Sequence, residues 1–114
     1  MEMVVDLQRV TVVLAEADDT GRFAVRVASP DEASPHSTAD VHRLGDVLAA
    51  ANVGHLAESG EAFIRPEAVR FHAEGQVGEG WDERFAGMCD FAASKGWIDP
   101  GGSIQAHVEW PLGA

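Results

Sequence analysis

The chain has 114 residues, of which nineteen are Asp or Glu and eight are Lys or Arg, for a formal net charge of -11. A surface of that sign repels phosphate backbones and anionic lipid, which argues against a nucleic-acid or membrane-surface partner. A hydrophobic fraction of 46% argues against disorder despite the charge.

The length suits one globular domain spanning 1–114, large enough to bury a core without staples. Cys89 is the single cysteine, so no intramolecular disulfide can form. The opening residues Met1-Glu2-Met3-Val4-Val5-Asp6 carry neither a basic region nor a long apolar run, and the expectation is a cytoplasmic protein.

Residues 3–28 read as a β-hairpin. Val4 to Ala15 is rich in β-branched residues, Phe23 to Val27 alternates, and Asp18-Asp19-Thr20-Gly21 lies between them as a turn. The run Val10-Thr11-Val12-Val13-Leu14 is apolar on both faces, which suggests an interior strand or an edge covered by a partner.

Ser29 to Ser37 is a loop with Pro30 and Pro35. Ser37 or Thr38 can cap the helix that follows, with Asp40 in its first turn. Val41, Leu44, Leu48 and Ala51 recur at helical spacing, and Asn52 or Gly54 ends the element. Glu61 to Arg65 suits a short strand. Pro66 then stands where helices start and Gly75 where they stop, giving a helix over 66–74. The alternation of Val69, Phe71 and Ala73 also permits a strand.

After the glycine-rich loop Gly75 to Gly80, a helix is predicted over 81–95. Its apolar face is Trp81, Phe85, Met88, Cys89 and Ala92, and Gly96 closes it. Asp99-Pro100-Gly101-Gly102 is a turn. Ile104, Ala106, Val108 and Trp110 then alternate with Gln105, His107 and Glu109, as a half-buried strand does. Strands at the ends with helices between them indicate an α+β fold. The expected architecture is a small antiparallel sheet, made of the N-terminal hairpin plus the C-terminal strand, with two or three helices packed on one face.

Five histidines, His36, His42, His55, His72 and His107, are the natural candidates for proton transfer or metal ligation. None falls in a zinc pattern, and the plain account is ordinary surface or half-buried histidines, with no metal and no cofactor. His107 has the best context. Gln105 and Glu109 share its sheet face, a neighbouring carboxylate can orient an imidazole, and Arg26 and Arg22 could join them from the hairpin. The catalytic candidates are therefore His107 and Glu109, and the binding candidates Arg22, Arg26 and Gln105. A solvated face with cross-strand charge pairs explains the same residues without chemistry.

Gly75, Gly78 and Gly80 do not match a dinucleotide or phosphate loop, and Glu74, Glu79, Asp82 and Glu83 would repel a phosphate. Cys89 lies mid-helix beside Asp90, a poor setting for a thiolate. A winged-helix arrangement of the C-terminal half would carry only Arg84 and Lys95 on its recognition helix, so DNA binding is not expected. The sequence therefore favours an acidic interaction or regulatory domain without catalytic activity, self-associating as a homodimer or binding a protein partner. Three tryptophans and the two-faced first run motivate the dimer. The alternative is a cofactor-independent acid–base enzyme acting on a small organic molecule through His107. Residues 1–28 carry five acids and three arginines and the remainder fourteen acids against five bases, so the N-terminal segment is the nearly neutral part.

Overall fold

A computed structural model describes residues 1–28 and 38–110. In chain order its elements are β1 (Glu2–Asp6), β2 (Thr11–Ala15), β3 (Ala24–Ala28), α1 (Thr38–Ala50), β4 (Gly54–Leu56), β5 (Ala62–Ile64), α2 (Pro66–Ala73), α3 (Trp81–Ser94) and β6 (Ile104–Glu109). The fold is α+β. The strands form one six-stranded sheet in the order β2-β1-β3-β6-β5-β4. The sheet is larger than expected and it is mixed: β1 pairs antiparallel with β2 but parallel with β3, and β3 pairs parallel with β6.

The expected hairpin is corrected in two ways. The run Val4 to Ala15 is not one strand but two. Asp6 Oδ1 accepts the backbone N–H groups of Gln8 and Arg9, each at 3.0 Å, and Val10 takes a left-handed φ of 55°. This Asx-type turn folds β2 back on β1 without any Gly or Pro to announce it. The second correction concerns Asp18 to Gly21. A turn does form there, with Asp19 N–H bonded to Glu16 O and Gly21 N–H to Asp19 Oδ1. It does not close a hairpin, because the chain passes β1 and lays β3 on the far side.

The helical expectations fare better. Asn52 ends α1 at φ 57°, and Val53 N–H reaches back to Leu48 O at 2.9 Å, satisfying a carbonyl that the helix end would orphan. Pro66 opens α2, so the segment is helix and not strand, ending at Ala73, one residue short of the expected 66–74. Gly96, at φ 78°, closes α3. The strand β4 has no counterpart in the sequence reading, since Gly54-His55-Leu56 is too short to show a period. Gly54 belongs there because a Cβ would collide with the Phe63 carbonyl across β5. The loop over 29–37, with Pro30, Pro35 and His36, lies outside the described residues.

Alternation gives the sheet two unlike faces. Met3, Val5, Val12, Leu14, Val25, Val27, Ala62, Ile64, Ile104, Ala106 and Val108 point inward and are buried, and the helices cover them with Leu44, Val47, Leu48, Val69, Trp81 and Phe85. The sheet curls around this core, so that α1 packs on β4 and also touches β2, the two outermost strands. Trp81 and Phe85 stack with ring centroids 5.0 Å apart. Burial of either ring contributes about 2–3 kcal/mol. Among the described residues no helix is long and apolar enough to cross a membrane.

Candidate functional site

The outer face of the sheet carries the polar residues. Register places His107 opposite Ala24, Glu109 opposite Arg26 and Gln105 opposite Phe63. So His107, Glu109, Gln105 and Arg26 do share one face, and β3, the strand that holds Arg26, brings it there. The side chains nevertheless do not converge as one group. Arg26 turns its Nε to Glu2 Oε1 at 3.3 Å. Arg22 donates to Glu2 Oε2 at 3.1 Å and also faces Glu16 (3.7 Å) and Asp19 (3.8 Å). Both arginines thus meet at Glu2, a carboxylate only 7% exposed. An acid so buried needs such partners, because leaving it unpaired would cost several kcal/mol.

A concave feature lies beside this network, where the sheet opens. β3 and β6 pair only from Ala24 to Arg26 against His107 to Glu109, while the first part of β6 pairs with β5 alone. Gly21, Arg22 and Phe23 form one bank of the opening, and Ile104, Gln105 and His107 form the other. Met88, Phe91 and Ala92 of α3, with Trp97 and Glu61, complete a cleft of about 410 Å³. The lining is largely apolar, with Arg22, Gln105, His107 and Glu61 as its polar groups.

Each wall is held by identifiable bonds. Trp97 N–H bonds to Ala92 O at 2.9 Å, and Trp97 O accepts from Gln105 N–H at 2.7 Å, so the aromatic residue after α3 is tied to the start of β6. Phe91 meets Trp97 edge to face at 5.9 Å. Lys95 Nζ lies 5.5 Å from the centroid of the Phe91 ring. Ser59 Oγ donates to Glu61 Oε2 at 2.8 Å. Phe91 is 56% and Trp97 43% exposed, an unusual amount of aromatic surface for two neighbours outside a contact site.

Of the sequence candidates, His107, Gln105 and Arg22 line the cleft, while Arg26 and Glu109 stand outside its lining. Phe23, Glu61, Met88, Phe91 and Trp97 were not singled out as site residues. The available signal was Phe91 and Trp97, large aromatics that fall off the apolar stripe of α3 and just beyond its end. The other described histidines are dispersed. His55 stacks on Phe63 at 5.3 Å and lies 3.8 Å from Asp99, His72 sits edge-on to Phe71, and His42 is exposed on α1. Among the described residues no three His, Cys, Asp or Glu are grouped to hold a metal ion. Burial pushes the Cys89 thiol up; nearby Arg70 opposes that shift and Asp90 adds to it. This is the setting of a packing residue rather than a nucleophile.

Comparison of the chain with protein-family models, with curated proteins and with solved structures finds no match. The functional reading therefore rests on the site.

Proposed function

We propose that the protein is a non-catalytic regulatory domain that binds a small organic molecule in the cleft between β3 and β6. The observation that carries this reading is the cleft itself: about 410 Å³, with an aromatic and aliphatic lining and a few polar groups. Sites for small organic ligands have this size and this balance. The test is a fragment screen by protein-observed NMR. Hits that shift the amides of Gly21 to Phe23 and Ile104 to His107 support it. Hits that map elsewhere, or no hits, overturn it. Met88→Trp, which fills the cleft, should abolish those shifts without unfolding the domain.

Self-association belongs to the same proposal. β2 ends the sheet, and Thr11 to Ala15 contains no charged residue and no proline, the usual guards of an edge strand. Val10 and Val13 are 59% and 55% exposed, and Phe71, which shares a hollow with Val12, is 70% exposed. A second copy pairing antiparallel along β2 would extend the sheet and cover these side chains. Native mass spectrometry should then show a dimer at micromolar concentration, and Val13→Lys should leave monomer only. A monomer from the unaltered chain removes this part.

A catalytic reading of the cleft has one observation in its favour, that His107 lines it together with Glu61 and Arg22. In that reading His107 moves a proton and the other two orient the substrate. A bound fragment recovered chemically unchanged after prolonged incubation counts against it. Turnover lost in His107→Gln would establish it.

A further inference from the structure

The charges around the cleft indicate which class of molecule it holds, an inference that rests on the cleft being a ligand site. Among the described residues Arg22 is the only Arg or Lys in its lining. That guanidinium faces three carboxylates, Glu2 at 3.1 Å, Glu16 at 3.7 Å and Asp19 at 3.8 Å. Arg26 is itself turned to Glu2 at 3.3 Å. Two arginines and the Met1 ammonium, which donates to Asp19 O at 3.0 Å, are therefore already set against these three acids before Glu61 is counted. An anionic ligand would find no uncommitted Arg or Lys in the lining, and it would approach a chain of net charge -11.

A cation meets the opposite situation. Glu61 is half-buried in the lining, with Ser59 bonded to one of its oxygens, and a carboxylate can accept several hydrogen bonds at once. Phe23, Phe91 and Trp97 add aromatic rings, whose faces attract positive charge. The Lys95 ammonium lies 5.5 Å from the Phe91 ring and takes part of that ring, which leaves Phe23 and Trp97 as the other aromatic groups of the lining. We infer that the cleft binds an organic amine, its ammonium between Glu61 and the aromatic rings and its apolar body against Phe23, Met88 and Ala92.

The probes are benzylamine, benzyl alcohol and benzoate, alike in size and differing in charge, titrated at neutral pH into the intact chain and followed by the amide shifts of Ile104 to His107. Benzylamine should bind about tenfold more tightly than the alcohol, as a charge-assisted bond implies. Benzoate should bind most weakly. The preference should shrink at high salt. Glu61→Gln should remove the amine's advantage over the alcohol. Benzoate or the alcohol binding as well as the amine overturns the charge assignment and leaves the cleft a ligand site. An amine preference that survives in Glu61→Gln overturns the role given to Glu61. If none of the three moves the cleft amides, both this inference and the ligand-site reading fall.

Discussion

The indole N–H of Trp81 donates to the carbonyl oxygen of Ala17 at 2.6 Å, across 64 residues of chain. Trp81 is 2% and Ala17 5% exposed, so neither group has water as a substitute partner. The bond fixes the start of α3 to the loop after β2. Arg84, one turn along α3, reaches Asp18 in the same loop at 3.6 Å. The end of that loop, Gly21 to Phe23, is one bank of the cleft, while α3 supplies its floor. The two parts of the cleft are thus tied together by the same helix. Trp81→Phe keeps the stack on Phe85 and deletes only the donor and some volume. It should lower stability by about 1–3 kcal/mol, because the Ala17 carbonyl stays buried and unpaired. Urea midpoints measure the loss, and amide exchange over 17–23 should rise more than elsewhere.

Two glycines should respond in opposite ways to the same substitution. Gly54→Ala drives a Cβ into the Phe63 carbonyl, a backbone atom that cannot step aside. The expected cost is about 1–3 kcal/mol, with β4 released from β5. Gly87 lies within α3, where an added Cβ meets nothing within 4 Å. Gly87→Ala should raise stability by about 0.5–1 kcal/mol through helix propensity and a less flexible unfolded chain. Thermal unfolding of the two variants side by side checks both signs.

Val10 holds φ 55° with a β-branched side chain that is 59% exposed. The left-handed region is costly for such a residue and nearly free for Asn. Val10→Asn should therefore stabilise the chain by about 1 kcal/mol. No change in the unfolding midpoint would show that the turn carries no strain.

The Cys89 thiol is raised above its ordinary value by burial. The sign follows from the neutral form being favoured in the folded state. Its contribution to stability is complete below the unfolded thiol's pKa, about 8.5, and is lost as pH rises through the higher folded value. At pH near that of a free thiol's midpoint, iodoacetamide should alkylate the folded chain more slowly than the chain in urea. Equal rates would show that Cys89 is not shielded.

Legibility divided along a physical line. α3 could be read because Trp81, Phe85, Met88 and Ala92 repeat at the helical period, and Gly96 supplies a stop. α2 could be read from Pro66 and Gly75, and β6 from six residues of strict alternation. The break between β1 and β2 could not, since Val10 sits where a turn is normally marked by Gly or Asn and the Asx bond from Asp6 leaves no distinctive spacing. The same divide runs through the cleft. The polar face of β6 could be anticipated, placing Gln105 and His107 together. Glu61, Phe23 and Trp97 come from segments far apart in sequence, and no local period relates them.

The sequence by itself determined the acidity, the helices α1 and α3 and the inward and outward sides of β3 and β6, because each depends on composition or on spacing within a few residues. Tertiary structure alone decided that β3 lies parallel to β1 instead of closing a hairpin on β2, that Arg22 and Arg26 converge on Glu2, and that β3 and β6 part below Ala24 to open the cleft. Backbone N–H and C=O groups are alike in every strand, so hydrogen bonding does not name a partner. Pairing is chosen by which arrangement buries Met3, Val25 and Val108 on one side of the sheet while bringing α3 over the loop at Ala17, and that choice involves the whole chain at once.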